Sequence, residues 1–124
     1  MTPLPTITAL TRDGVQLRVQ LALEPDLIAF DGHFPGAPIL PAVAQIDWAV
    51  RVAREHFELP AHFNALRALK FLRIVQPPVQ LTLELWRDVD GRSVGFSYSQ
   101  GSSACSSGRI EFADDAAGPD RSLL

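Results

Sequence analysis

Between Val15 and Leu23 apolar and polar residues alternate, with Val15, Leu17, Val19, Leu21 and Leu23 set against Gln16, Arg18 and Gln20. A period of two sends one set of side chains to each face, so the segment predicts a strand with one face on a core. Thr6–Thr11 precedes it, and the turn pair Asp13-Gly14 joins the two into a β-hairpin. From Pro41 the period changes. Val43, Ile46, Val50, Ala53 and Phe57 recur at helical spacing, which predicts a helix from Pro41 to Phe57 or Glu58, stopped by Leu59-Pro60. Pro41 loses no hydrogen bond at the first helical position, and Arg51 and Glu55, four apart on another face, can pair there. Beyond Pro60 the pattern predicts strands over Phe63–Val75, Val79–Arg87, Ser93–Gln100 and Ala104–Phe112. The breaks between them are Pro77-Pro78, Asp90-Gly91 and Gly101-Ser102-Ser103. About six strands with one long helix are too few helices for a parallel α/β fold. They predict an α+β domain over residues 1–113, an antiparallel sheet wrapped around one central helix. Residues 114–124, with three Asp, a Gly and a Pro, read as a loose tail.

Composition narrows the class. With 47% hydrophobic and 20% charged residues, 124 residues can bury a real core. Eleven Lys and Arg against fourteen Asp and Glu, a net charge of −3, argue against a general nucleic-acid binder. Cys105 stands alone, so no disulfide framework is available within the chain, and a reducing compartment fits. No run approaches the roughly 20 apolar residues of a membrane span, and MTPLPTITAL lacks the features of a secretory signal, so a soluble, cytoplasmic domain is expected. Cys105 lies among serines and reads as inert, while His56 and His62 lack metal-ligand spacing, so no metal site is expected. Nucleophile-elbow, phosphate-loop and dinucleotide fingerprints find no match.

The chemistry concentrates in residues 30–50, FDGHFPGAPILPAVAQIDWAV. Pro35, Pro38 and Pro41, flanked by Gly32 and Gly36, build a stiff, sharply turned loop. Asp47 falls within the expected buried stripe of the helix. A carboxylate there is costly unless it is hydrogen-bonded to the loop or held neutral, and a neutral carboxyl group is a proton donor. His33, between Gly32 and Phe34, is fixed by the loop and suits either a general base or a cap on loop carbonyls.

HFPGAPILPAVAQID resembles the signature of the 3-hydroxyacyl-acyl carrier protein dehydratases of bacterial fatty acid synthesis. That signature has the form H-F-x-G-x-P-x-x-P-G, with Glu or Asp five residues on. The resemblance implies a hotdog fold, and the order of hairpin, loop, helix and meander agrees with it. PAVAQIDWAV also resembles a small dehydratase branch linked to aryl polyene synthesis. Carried over by position, His33 falls on the catalytic histidine and Asp47 on the catalytic acid, Asp being the choice of the branch that also isomerises its product. Ala42 stands where the family has glycine but keeps the backbone N–H that meets the thioester carbonyl, and Gly36 keeps its own.

The resemblance further implies dehydration of 3-hydroxyacyl thioesters to trans-2-enoyl thioesters without a cofactor, in fatty acid or polyene synthesis. The catalytic pair would face each other across a homodimer, alone or in a trimer of dimers. Phe34, Ile39, Leu40, Val43 and Phe71 are candidates for an acyl tunnel along the helix. An acyl carrier protein would deliver the substrate on phosphopantetheine, with Arg67, Lys70 and Arg73 as docking candidates in a locally basic stretch. Two alternatives stay open: an acyl thioesterase on the same fold, and a non-catalytic subunit that completes a heterodimeric dehydratase.

Overall fold

The structure is a computed structural model that describes residues 4–24, 39–77 and 79–114. The hairpin comprises β1 (Thr6–Asp13) and β2 (Gln16–Leu23), joined by the two-residue turn Gly14-Val15. Gly14 takes φ 60°, the left-handed value such a tight connection requires at its first central position. Four more strands follow the helix: β3 (His62–Phe71), β4 (Val79–Arg87), β5 (Ser93–Gln100) and β6 (Ser103–Ala113). All neighbours are antiparallel, in the order β1-β2-β4-β5-β6-β3.

Alternation makes one sheet face apolar and leaves the other polar. Register stacks the buried residues into rows, Val19 beside Leu83 beside Tyr98, and Leu17 beside Leu85 beside Phe96, the second row ending at half-buried Gly108. The last position of that row is glycine for a steric reason. A Cβ on Gly108 would stand 2.6 Å from Leu69 Cδ2 and 2.7 Å from Phe96 Cε2. Between β4 and β5, the Asp90 carboxylate accepts the backbone N–H of Arg92 (2.8 Å) and Ser93 (3.1 Å) and the Ser93 hydroxyl (3.2 Å). Those donors, the Arg92 N–H foremost, hold the Asp90 pKa below its ordinary value.

The helix α1 (Ala42–His56) packs on the apolar face. Pro41 is its N-cap rather than its first residue, and no side chain caps that end. Its buried side is Ala44, Gln45, Trp48, Ala49, Val52 and Ala53. This corrects the expected stripe: Ala53 and Phe57 are buried, but Ile46 and Val50 are only half-buried and Val43 is 76% exposed. The reason is area and approach. Trp48 brings more apolar surface than any residue of the expected stripe, and the alanines beside it let the helix sit close to the sheet. At the other end, Arg12 donates to the His56 carbonyl (2.5 Å), Arg54 to that of Pro60 (3.3 Å) and Arg87 to that of Glu58 (3.2 Å). Arg12 thereby covers a last-turn carbonyl at the negative end of the helix dipole, where positive charge is favoured, and Arg54 and Arg87 hold the segment just beyond the helix. Arg12 also stacks over the Phe57 ring and Arg54 over that of Phe112.

The strand expected over Phe63–Val75 ends at Phe71. Beyond it, the N–H groups of Leu72 (2.8 Å) and Arg73 (3.2 Å) both donate to the Cys105 carbonyl, which turns the chain off the sheet. Val75 then accepts the N–H of Leu40 (2.8 Å), tying this segment to the strap before the helix. β3 is an edge strand interrupted by a bulge between Arg67 and Lys70, where Ala68 takes φ 54°. It leaves Phe63, Leu69 and Phe71 exposed.

Because Phe96 is fully buried and cannot retreat, Gly108→Ala is expected to cost about 1–3 kcal/mol of stability, an overpacking effect. Urea unfolding monitored by circular dichroism measures it, and an unchanged midpoint would contradict the packing described.

Candidate active site

A cleft of about 340 Å³ opens where the strap, the helix start and the segment after β3 meet. Ile39, Leu40 and Pro41 form one wall and Phe71, Leu72 and Ile74 the other, with Ala42, Gln45 and Arg73 also on its surface. The walls are apolar for a local reason: β3 ends at Phe71 and the helix starts only at Ala42, so Ile39, Leu72 and Ile74 lie outside regular structure and turn to the gap, while Leu40 also packs into the core. The first helical residue, Ala42, brings an uncapped helix N-terminus to the cleft, and the first turn holds no acidic residue. That end carries N–H groups that the helix's own hydrogen-bond ladder does not use and the positive end of the dipole, a fitting place for an oxygen that gains negative charge.

Asp47 lies further along α1, on the flank turned away from the sheet beside half-buried Ile46 and Val50. Its side chain is 32% exposed and accepts from Arg51 Nη1 at 3.4 Å, so it is ion-paired rather than isolated in the core as the sequence suggested. Arg51, expected to face Glu55, thus reaches one turn back; such an i,i+4 pair contributes a few tenths of a kcal/mol. The carboxylate is anchored and still open to an incoming group.

Of the other site candidates, Ile39, Leu40 and Phe71 line the cleft, whereas Val43 projects from the helix outside it. Arg73 stands at the cleft. Arg67 is bound to Glu111 on β6 at 2.6 Å, and Lys70 borders a separate recess with Trp86 and Arg109. His33, Phe34 and Gly36 lie outside the described residues, as do residues 115–124 of the expected tail. Among the described residues no three His, Cys, Asp or Glu side chains gather as metal ligands would, and no helix is long and apolar enough to cross a membrane. Burial pushes the Cys105 thiol above its ordinary pKa, which disfavours the reactive thiolate.

Sequence reasoning missed Gln45. It is buried under the helix, where its Oε1 accepts the Ser106 hydroxyl (2.6 Å) and its Nε2 donates to the Leu40 carbonyl (3.3 Å). Its own carbonyl accepts the Tyr98 hydroxyl (2.7 Å). A lone amide among the apolar residues of the helix was the available signal, but its partners on β5 and β6 are more than fifty residues away.

Comparison with known proteins places the fold in a family. A model of the ApeI-like family, described as ApeI dehydratase, matches residues 9–109. The 3-hydroxyacyl-acyl-carrier-protein dehydratase FabZ of Latilactobacillus sakei subsp. sakei (strain 23K) is 32% identical over 87 residues, 61% of this chain and 62% of that protein. The chain thus matches under two thirds of the length of this curated relative. Among solved structures, the dehydratase heterocomplex ApeI:P from Xenorhabdus doucetiae superposes with a TM-score of 0.80 at 31% identity, over 86% of this chain and 96% of that one. A crystal structure from Erwinia carotovora subsp. atroseptica gives 0.68 at 30% identity, over 90% and 95%. Fold and site thus define a dehydratase-type protein of the hotdog fold. Within that class, the chain belongs to the ApeI-like dehydratase family.

Tyr98 is the only tyrosine, and burial, with the Asp47 carboxylate second, pushes its hydroxyl well above the ordinary phenolic pKa. A raised native pKa means stability is intact below the unfolded value of about 10 and falls as pH rises past it. In an alkaline titration, tyrosinate absorbance is expected to appear only together with the loss of circular dichroism; its appearance in folded protein would contradict the burial.

Proposed function

We propose that this protein dehydrates 3-hydroxyacyl thioesters carried on the phosphopantetheine arm of an acyl carrier protein, giving trans-2-enoyl thioesters. The observation that carries the reading is an apolar cleft ending at an uncapped helix N-terminus, on a helix that bears an accessible carboxylate at the family's acid position. In the proposed reaction neutral His33 takes a proton from C2, and the C–H electrons become the C2–C3 double bond. Asp47 delivers a proton to the C3 hydroxyl, directly or through a water, and the hydroxyl departs as water. The Ala42 N–H holds the thioester oxygen while charge builds on it, with Gly36 contributing a second N–H. The imidazolium then returns its proton to the carboxylate through solvent. Ile39, Leu40 and Phe71 would shelter the acyl chain, and Arg73 is the basic residue best placed to meet the anionic arm.

In the proposed reaction a second subunit completes the site. The helix flank with Asp47, Ile46 and Val50 and the exposed apolar residues of β3 belong to surfaces that a single chain leaves open. A homodimer would set His33 of one subunit against Asp47 of its partner. The match to the ApeI:P heterocomplex favours a second version, in which the partner is a different hotdog chain.

His33→Ala and Asp47→Asn are each expected to lower turnover of a 3-hydroxyacyl carrier-protein thioester by about 10²–10⁴-fold, the usual scale for general acid–base groups. Enoyl-thioester absorbance measures it, and wild-type rates in both variants would refute the assignment. Light scattering on the purified chain distinguishes the two assemblies. A homodimer with full activity supports the first, whereas an inactive chain that gains activity when co-expressed with a second hotdog subunit supports the other.

A further inference from the structure

We infer that Gln45 is a positioning residue of the active site, holding the first turn of α1 at one rotation and one height above the sheet. This rests on the function proposed above and adds a residue to it. The geometry begins with the helix side that meets the sheet. Ala44, Ala49 and Ala53 are small and Trp48 and Val52 are apolar. Contacts of that kind are non-directional and leave a helix free to roll or slide by small amounts at little cost. The bonds at Gln45 are directional. The side chain joins Ser106 on β6 to the Leu40 carbonyl in the strap, and the main-chain carbonyl accepts from Tyr98 on β5. Leu40 is held from its other side as well, its N–H on the Val75 carbonyl. One buried residue therefore fastens helix, strap and two strands to one another, in surroundings where an unpaired polar group is expensive.

The consequence is geometric. Side-chain tips ride about 5–6 Å from a helix axis, so a roll of about 20° carries the Asp47 carboxylate about 2 Å and turns the Ala42 N–H off its target. Misplacement on the scale of 1 Å costs about 100-fold in rate when reacting groups must be aligned. Gln45 touches no reacting atom in this account; it acts through Asp47, Ala42 and Leu40.

The test uses the full chain, in whichever assembly is active, with Gln45→Met as a nearly isosteric variant that cannot bridge Ser106 to Leu40. Ser106→Ala removes one partner, and Val52→Ala serves as a control that cavitates the same helix side. Gln45→Met is expected to lower kcat about 100-fold with KM changed less than about threefold, and Ser106→Ala to lower it about tenfold. Val52→Ala is expected to lower the melting temperature at least as much while kcat stays within about threefold. Hydrogen exchange reads the same anchor without turnover. In Gln45→Met the amides of Leu40, Ile46 and Asp47 are expected to exchange about tenfold faster, with little change over residues 52–56. A wild type that does not dehydrate would overturn the proposed reaction, while the exchange measurement still decides the anchor. Unchanged exchange at those amides, or an active wild type whose kcat Gln45→Met leaves intact, would overturn this inference.

Discussion

Among the described residues the buried amide of Gln45 finds its partners on β6 and in the strap, and with Trp48 and Val52 it settles which flank of a doubly apolar helix meets the core. Val43, Ile46 and Val50 are as apolar as the residues beneath the helix, and binary pattern alone does not choose between the two flanks. Polar satisfaction does, because an amide turned toward the sheet gains the Ser106 hydroxyl and the Leu40 carbonyl. Placing Asp47 on the opposite flank follows from helix geometry, since two residues advance the direction by about 200°. Core and site are thus two sides of one orientation.

The cleft has an equally local origin. It forms where regular structure stops on both sides, at the strap before α1 and at the segment that leaves β3. Neither segment wanders: Leu40 is bonded to Val75, and Leu72 and Arg73 share the Cys105 carbonyl. Irregular backbone, pinned at a few points by main-chain bonds, exposes apolar side chains to a gap that a strand or helix would have closed. The arginines at the far end of α1 secure the C-terminal half of the helix independently, so the two ends have separate supports.

Much of the fold was legible in the sequence because its signals are local. Alternation in Val79–Arg87 and the Gly and Pro breaks marked β4 and β5 at their observed ends, and Leu59-Pro60 stopped the helix within two residues. Features set by distant partners were not legible. Val43, Ile46 and Val50 made a valid helical stripe, and the partners of Gln45 together with Trp48 and the small alanines overruled it. Asp47 was expected buried because it lies in that stripe; turning the helix brought it to the surface and to Arg51. The early end of β3 depends on the Cys105 carbonyl, more than thirty residues downstream, which no local window contains. In the site, Asp47 and the Ala42 backbone were singled out as candidates through the resemblance of HFPGAPILPAVAQID to a family signature, whereas Gln45 has meaning only once β5 and β6 lie beneath it.

Ala68 has a consequence for how chains meet. An edge strand with exposed phenylalanine and leucine is a template on which extended chains can add without end. The left-handed residue at the bulge divides β3 into two short runs whose hydrogen-bonding directions no longer align. A flat foreign strand finds only a few consecutive partners there, so growth into fibrils lacks a straight seam. A neighbour with a matching kink suffers no such mismatch. The same irregularity that discourages open-ended stacking therefore acts as a shape filter, favouring closed assemblies over indefinite ones.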